Sequence, residues 1–472
     1  MPLALRRARA AICTGILLFV SQYSVHGFTK AGRIYATDGS QADVNAAITA
    51  ASAGDVVTLP PGSFTWSAVH VNKAVTLMGA GTGLTTINAD PAANPDFAVA
   101  VIRFSAAATV KNFTFTVPNA HVTAFSANVA SGWRLTNIVF NGGPTDAYFF
   151  FINGVYGLID NCTINGANGS AELIFAKGPS DSWQRESSLG GEDNVYVENC
   201  TFNGQGYVCD ANSNARFVVR YCTINGNMKV DGHGLASNFP PRSVRHMEVY
   251  GNTWTAAAGS WAAMELRGGT GMVFNNTSVN EGGSSVKTPM LILNEYGALN
   301  DWPNFSRIYQ TPANYPIPDQ IGMGRDPRAA ASEPMYLWNN RRGGNDWTIR
   351  HDNIPAEAIL QNLGNTFTMA DIIAPDRDYF KETAGATFNG SSGVGVGTRA
   401  QMTAITGTRI GVGFWVTDEG EWNATSSGAD GQLYVWNGVA GGGWVLRYVP
   451  FTYPHPLRAP RAPTRPSLQL ID

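Results

Sequence analysis

The sequence predicts an all-β solenoid, in which short strands wind through successive coils of similar length. Three runs of β-branched and apolar residues are too short for helices, and each is followed by a Gly- or Asn-rich corner. These runs are Phe217–Tyr221, Met247–Tyr250 and Met272–Phe274. A strand-and-corner unit that recurs with a period in the twenties is typical of a solenoid.

The same unit can be followed along much of the chain. Successive corners are 25, 24, 38, 22, 30 and 24 residues apart, so four intervals match one coil and two contain an insertion. The insertions are Ser180–Asp193 and Gly232–Ser243, and insertions of this kind usually form loops on one face, often the binding face. The corner positions are Asn112, Asn137, Asn161, Asn199, Tyr221, Gly251 and Asn275.

Residues 1–27 predict a secretory signal peptide. A basic start with Arg6, Arg7 and Arg9 precedes the apolar run Ala10–Val20, which is too short to span a membrane. We therefore expect an exported protein, extracellular or periplasmic, with no membrane span.

A short helix is predicted before the first coil. Ser40 is a suitable N-cap, and Val44 and Ile48 continue a helical apolar pattern that ends by Gly54. Such a helix would cover the open apolar end of the solenoid, which otherwise exposes strand edges and core to water.

Changes in composition predict the division of the rest of the chain. We expect a solenoid over residues 28–296 and a loop-rich aromatic excursion packed on it over residues 297–380, with a further strand at Met335–Trp338. Alternating apolar residues and Gly-rich turns predict a small C-terminal β cap over residues 381–457. The Pro-rich tail, residues 458–472, is expected to be disordered.

The overall composition fits a turn-rich all-β protein. The 472 residues include 52 glycines and only 14% charged residues, with a net charge of −3. Nucleic-acid binders usually carry a basic face, so we expect no nucleic-acid partner.

Three cysteines occupy the same position in their coils. Cys162, Cys200 and Cys222 are each followed by a Thr, and we expect them to stack as an inward-facing ladder of small buried side chains. Cys209 lies outside this phase, and a disulfide between Cys200 and Cys209 remains an open alternative.

The predicted helix, the following stretch DVVTLPPGSFTW (Asp55–Trp66) and the N-x-T-[IF]-N-G coils resemble a known superfamily. They resemble the parallel β-helix proteins of the pectin-lyase-like superfamily, over residues 38–294. The resemblance implies a single-stranded right-handed parallel β-helix with an N-terminal capping helix. The chain adds a loop-rich, antiparallel C-terminal extension to that architecture.

Charged residues recur at corresponding positions of neighbouring coils. Side chains two apart on a strand share a face, and adjacent strands lie about 4.8 Å apart. Burying such groups unpaired would be costly, so we expect a solvent-facing charged patch beside the inserted loops. Its members are Lys177, Asp210, Lys229, Asp231, His233, Glu265 and Arg267.

The patch favours a lyase that cleaves an acidic polysaccharide. Such an enzyme must neutralise a uronate carboxylate, remove the adjacent ring proton and assist the leaving oxygen. Oxygen ligands suit Ca²⁺, and Asp210, Asp231 and Glu265 are the candidate ligands. The candidates for base and charge stabilisation are Lys229, His233, Arg242, Arg245 and Arg267.

Two further groups of residues complete the predicted site. The segment from Pro240 to Trp254 resembles the Arg-Pro-rich segment of pectate lyases, which implies Arg242 or Arg245 as the proton-abstracting arginine. Lys177 and exposed tryptophans are expected to bind the polysaccharide. The candidate tryptophans are Trp183 and Trp261, with Trp254 and Trp302 as further exposed aromatics.

Other functions compete with the lyase. Gly232-His233-Gly234 resembles the Gly-His-Gly motif of polygalacturonase-like glycosidases, and inverting hydrolysis would need a separated acid and base that include Asp231 or Glu265. A non-catalytic glycan-binding or adhesive β-helix is a third possibility. The charged residues could also be structural ion pairs, which perturb titration in the same way as catalytic groups.

Overall fold

The structure is a computed structural model. It describes residues 33–90, 100–117, 122–142, 148–166, 172–234, 242–255, 263–279, 290–292, 319–322, 332–351, 373–406, 408–438 and 443–459. The predicted signal peptide lies outside these residues. No helix in the described part of the chain is long and apolar enough to cross a membrane.

Each coil contributes strands to three parallel sheets. The first sheet contains β1 (Arg33–Tyr35), β2 (Val56–Thr58), β5 (Thr76–Met78), the starts of β8 (Thr109–Thr116) and β10 (Trp133–Asn141), β12 (Gly157–Asp160), β15 (Val195–Glu198), β17 (Arg216–Arg220), β19 (His246–Tyr250), β22 (Thr270–Phe274), β25 (Met335–Trp338) and β29 (Tyr379–Lys381).

The second and third sheets follow in every coil. The second contains β3 (Gly62–Trp66), β6 (Thr85–Ala89), the ends of β8 and β10, β13 (Thr163–Asn165), the starts of β16 (Thr201–Asn212) and β18 (Thr223–Gly232), β20 (Thr253–Thr255), β23 (Thr277–Ser278), β26 (Arg341–Arg342) and its antiparallel partner β27 (Asn345–Asp346). The third contains β4 (Val69–Val71), β7 (Ile102–Phe104), β9 (Thr123–Ala127), β11 (Tyr148–Asn153), β14 (Glu172–Lys177), the ends of β16 and β18, β21 (Met264–Leu266), β24 (Met290–Ile292) and β28 (Ile349–His351).

This architecture confirms the predicted parallel β-helix. The helix α1 (Gln41–Ala50) precedes the coils, and the Ser40 side chain accepts a hydrogen bond from the backbone of Asp43 at its first turn. Val44 and Ile48 are buried in the same core as the strands of the first coils. The helix therefore covers the apolar end of the solenoid, as expected.

The corner positions found in the sequence share one backbone conformation. All seven have φ between 52° and 67°, in the left-handed region. Asn and Gly enter this region most easily, which explains their recurrence at the bend between the first and second sheets. Tyr221 is the bulky exception, and its ring packs 4.3 Å from that of Tyr453.

An inward-facing ladder follows these corners. Cys162, Cys200 and Cys222 are buried free thiols, so the Cys200–Cys209 disulfide is not formed. In the later coils the ladder continues with buried asparagines, and Nδ2 of Asn252 donates to Oδ1 of Asn276 at 3.1 Å. The sequence prediction of a stacked inward ladder is thus confirmed by the burial of these positions.

The solenoid extends beyond residue 296, where the sequence analysis ended it. β25 pairs in parallel with β22, and β29 pairs in parallel with β25. The sequence analysis missed these coils because long insertions separate their strands along the chain. The strands nevertheless pair in register. Residues 297–380 therefore contribute strands to further coils and are not only an excursion on the surface of the solenoid.

The C-terminal region packs on the side of the solenoid instead of capping its end. A four-stranded sheet contains β30 (Val394–Gly397), β31 (Gly413–Val416), β32 (Gln432–Trp436) and β33 (Trp444–Tyr448), with α2 (Arg399–Thr403) and a 3-10 turn (Pro456–Arg458). Its buried side chains share an apolar core with outward-facing residues of the first sheet. One core therefore fills the coils and a second joins the C-terminal sheet to their outer surface.

The C-terminal segment also covers a buried ionic group on the first sheet. Arg220 pairs with Glu198 at 2.7 Å, and both side chains are fully buried. Arg458 approaches Glu198 at 3.3 Å, so the ordered contacts reach one residue into the tail predicted to begin at residue 458. The residues after 459 lie outside the described part of the chain.

Glu248 should make stability depend on pH. It lies under the C-terminal sheet, where Tyr448 and the backbone of Gly190 donate hydrogen bonds to its two oxygens at 2.5 and 2.8 Å. Burial raises the pKa of Glu248 to about 7. Its contribution to stability is therefore complete below the unfolded pKa of 4.5 and is lost as the pH rises through 7.

We expect the free energy of unfolding to fall by about 3 kcal/mol between pH 4.5 and pH 8 because of this group. Denaturant titration across this range should give a flatter profile for Glu248→Gln, while the exposed-site control Glu192→Gln should follow wild type. Equal pH profiles for wild type and Glu248→Gln would contradict this assignment.

Candidate active site

The charged residues of the sequence analysis meet on the outer face of the third sheet. Asp210 pairs with Asp231, and Asp231 pairs with Glu265, in consecutive strands. These three carboxylates form a line along the solenoid axis, which we name the acidic column. The inward neighbours Ala211 and Leu266 are fully buried in the core, as strand alternation requires.

A second line of polar side chains lies two residues further along the same strands. Lys177 pairs with Asn212. His233 and Arg267 occupy the next register position, since their backbone N–H groups bond to the carbonyls of Ala211 and Gly232. We name Lys177, Asn212, His233 and Arg267 the basic column.

The long strands β16 and β18 carry both columns because they pass from the second sheet to the third without a break. Glycines with positive φ allow the bend, including Gly204 and Gly226. A Cβ atom at Gly226 would lie 2.2 Å from the carbonyl oxygen of Gly204, so only glycine fits there. The two strands therefore stay in register from the bend to Tyr207 and Lys229, and after a shift between Tyr207 and Cys209 they pair again at Asp210 and Asp231.

Ion pairs hold the acidic column. Lys229, two residues before Asp231 on β18, places its Nζ 2.6 Å from Oε1 of Glu265. Arg267 of the basic column places Nη2 2.9 Å from Oε2 of Glu265 and 3.0 Å from Oδ2 of Asp231. Glu265 is thus shared by an ammonium and a guanidinium.

The sequence analysis expected these carboxylates to face solvent, but the acidic column is buried. Its three carboxylate residues are only 1–3% exposed. The cations beside them offset the cost of burying charge, which is the physical reason that this arrangement is tolerated. Half-buried Tyr207 borders the columns, and the site reaches the surface through it and through the half-buried column members Lys177 and His233.

Asp210 has a perturbed carboxyl group. Burial, followed by the charge of Asp231, raises the pKa of Asp210 well above its usual value. Among the described residues, its Oδ1 has no hydrogen-bond partner. Both observations favour the protonated form of Asp210.

Tyr207 completes the site and was missed by the sequence analysis. Lys229 Nζ lies 4.3 Å from the centroid of its ring. Burial and then the charge of Glu265 raise the pKa of Tyr207, so the phenol keeps its proton. Strict alternation from Asp210 would point Tyr207 inward, but a register shift between Tyr207 and Cys209 turns it toward Lys229.

Burial also changes the two lysines. It lowers the pKa of Lys229 despite the opposing effect of Glu265, and it lowers the pKa of Lys177 despite Asp210. His233 is half-buried, and its Nδ1 lies 3.0 Å from the carbonyl oxygen of Gly234. A lysine with a lowered pKa can accept a proton, which ordinary surface lysines rarely do.

The two arginines proposed to abstract a proton are elsewhere. Arg245 is fully buried and pairs with Glu333 at 2.7 Å. Arg242 pairs with Asp319 at 2.8 Å. Both predictions are wrong for the same reason, because the insertion around Trp183 folds back over this part of the chain and engages both guanidinium groups.

Trp183 is also misassigned as a sugar-binding residue. Its side chain is fully buried, and Nε1 donates to the carbonyl of Ser243 at 3.2 Å. Its ring lies 4.5 Å from the guanidinium carbon of Arg242 and 5.1 Å from that of Arg245. Trp254 is likewise buried, while Trp261 and Trp302 lie outside the described residues.

The predicted Ca²⁺ ligands are not arranged to hold a metal ion. Among the described residues, no group of three or more His, Cys, Asp or Glu side chains is arranged to hold a metal ion. Glu265 and Asp231 instead bind Arg267, and the ammonium of Lys229 occupies the space beside Glu265. Fixed positive charge at this position opposes a divalent ion.

Comparisons with known proteins give a structural likeness. The sequence matches no protein-family model and no curated protein. Among solved structures, the chain is similar to the A-module of the mannuronan C-5 epimerase AlgE6 from Azotobacter vinelandii. The identity is 14%, the TM-score is 0.21, and the match covers 57% of this chain and 97% of the A-module. At these values the likeness carries no argument about activity.

The ion pairs of Arg267 with Asp231 and Glu265 should contribute measurably to the stability of the fold. Arg267→Met removes the buried cation that pairs with Asp231 and with Oε2 of Glu265. We expect the free energy of unfolding to fall by about 3 kcal/mol at neutral pH. Denaturant unfolding measures this change. Arg185→Met, which breaks the exposed pair with Asp181, is the matched control and should change stability by less than about 1 kcal/mol. Similar losses in both variants would contradict the role of burial.

Proposed function

We propose that the protein is an exported enzyme that cleaves an acidic polysaccharide by β-elimination next to a uronate carboxylate. The observation that carries the proposal is that Lys229, Tyr207 and Arg267 lie together beside the acidic column, whose member Asp210 favours its protonated form. Together they offer a base, a proton donor and two groups that can bind an anion. The predicted signal peptide over residues 1–27 supports action outside the cytoplasm.

The substrate carboxylate would lie against Arg267 and protonated Asp210. A guanidinium and a neutral carboxylic acid both donate hydrogen bonds to it, which stabilises the charge that develops when the neighbouring C5–H bond breaks. A neutral Asp210 matters here, because an ionised carboxylate would repel the substrate.

Lys229 would act as the general base. Its lowered pKa increases the fraction of neutral amine, and this form takes the C5 proton. The electron pair of the C5–H bond forms the C4–C5 double bond, and the C4–O bond breaks. The leaving oxygen takes the phenolic proton of Tyr207, and the proton on Lys229 returns to Tyr207, which restores both side chains.

A glycoside hydrolase is the second candidate, and the pairing of Asp210 with Asp231 favours it. An unequal pair of carboxyl groups can supply an acid and a nucleophile. Adjacent strands are about 4.8 Å apart, which is nearer to the spacing of about 5–5.5 Å in retaining enzymes than to the wider spacing of inverting ones. The spacing therefore fits a retaining hydrolase better than the inverting one that the Gly-His-Gly resemblance implies.

The elimination is tested by the ultraviolet absorbance of the unsaturated product across a panel of acidic polysaccharides. Lys229→Met and Tyr207→Phe should each lower the rate by at least about 100-fold. Lys111→Met, on the first sheet, should retain the wild-type rate. New reducing ends without absorbance would favour the hydrolase, and neither signal on any polymer would favour a glycan-binding protein.

Chelation provides an independent test. Because Arg267 and protonated Asp210 bind the substrate carboxylate in this mechanism, we expect the same rate with added Ca²⁺ and after treatment with a chelator. A rate that disappears on chelation and returns with Ca²⁺ would contradict this arrangement and restore the carboxylates as metal ligands.

A further inference from the structure

Two phenylalanines continue the acidic column toward the N-terminal coils. Phe151 pairs with Phe175, and Phe175 pairs with Asp210, in consecutive strands of the third sheet. Their rings stack with centroids 5.3 Å apart and an angle of 6° between their planes. Both side chains are half-buried, so an apolar ring pair borders the charged groups on the outer face.

This ring pair differs from an aromatic stack on the first sheet. On the first sheet, Tyr250, Phe274 and Trp338 also stack in register, but the C-terminal sheet buries them almost completely. Phe151 and Phe175, in contrast, belong to none of the apolar cores of the described residues. A paired apolar face that is rimmed by charged residues is the kind of surface that binds a ligand.

Lys177 gives the ring pair a charge. Its ammonium lies 5.4 Å from the ring centroid of Phe175. It is half-buried on the same strand, two residues after Phe175, and it begins the basic column that ends at Arg267. The surface thus combines an apolar ring face with one cation at its edge.

We propose that Phe151, Phe175 and Lys177 form a second sugar subsite, which binds an anionic pyranose ring of the same polymer. This inference rests on the proposed function and extends it. A hexuronate ring has an apolar face of C–H groups and one carboxylate, which match the phenylalanines and Lys177. A neutral sugar would satisfy only the apolar half of the subsite.

The position of the subsite sets the direction of the polymer. Phe151, Phe175 and Asp210 follow one another along the solenoid axis, so a chain bound at both places lies parallel to that axis. It extends from the reacting residue toward the N-terminal coils. Contact with more than one uronate unit means that the enzyme selects a polyuronate over isolated sugars.

Affinity electrophoresis tests the subsite without requiring turnover. Gels would contain polygalacturonate, alginate or carboxyl-reduced polygalacturonate. We expect Phe175→Leu and Lys177→Met each to weaken binding of one of the polyuronates about tenfold. With the carboxyl-reduced polymer, only Phe175→Leu should weaken binding. Lys111→Met and Tyr35→Leu are matched controls on the first sheet and should bind as wild type.

The outcomes separate this proposal from the reaction. Binding that both variants retain within about twofold of wild type overturns the subsite, even if the unsaturated product is formed. A wild-type protein that binds none of the polymers also overturns it. Binding lost in the two variants, with no unsaturated product from wild type, supports the subsite while the proposed elimination fails. Thermal unfolding identifies a variant that is misfolded, and the other variant then decides the result.

Discussion

The parallel register between successive coils is the constraint on which the rest of the molecule depends. Each coil must return to the same position after three strands, and the left-handed bend at positions such as Asn137 and Asn275 makes this return possible. Register then converts a sequence pattern into lines of like residues. The inward cysteine and asparagine ladders, the outward aromatic stack and the acidic column all follow from it.

The outer faces of the first and third sheets are covered in different ways. The C-terminal sheet covers the first sheet and shares an apolar core with it, which leaves that face unavailable to a ligand. On the third sheet, the column of Asp210, Asp231 and Glu265 is buried beside two cations. Charges that are held in place and shielded from water interact strongly, and this property is what a reaction through a carbanion-like intermediate requires.

The sequence predicted local and periodic features well, because these are set by neighbours one coil away. The capping helix, the bends, the cysteine ladder and the alignment of Asp210 with Asp231 and Glu265 are of this kind.

Features that depend on distant contacts could not be predicted. Nothing in the local pattern indicates that the insertion containing Trp183 returns to contact Arg242 and to bury Arg245. The register shift before Cys209 similarly brought Tyr207 to the outer face against the alternation rule.

The most direct measurement is a proton NMR spectrum of a polyuronate incubated with the protein. We expect the new non-reducing chain ends to have lost H5 and gained a vinyl H4 signal. New reducing ends that form while every new non-reducing end keeps its H5 and shows no vinyl signal would contradict the proposed elimination.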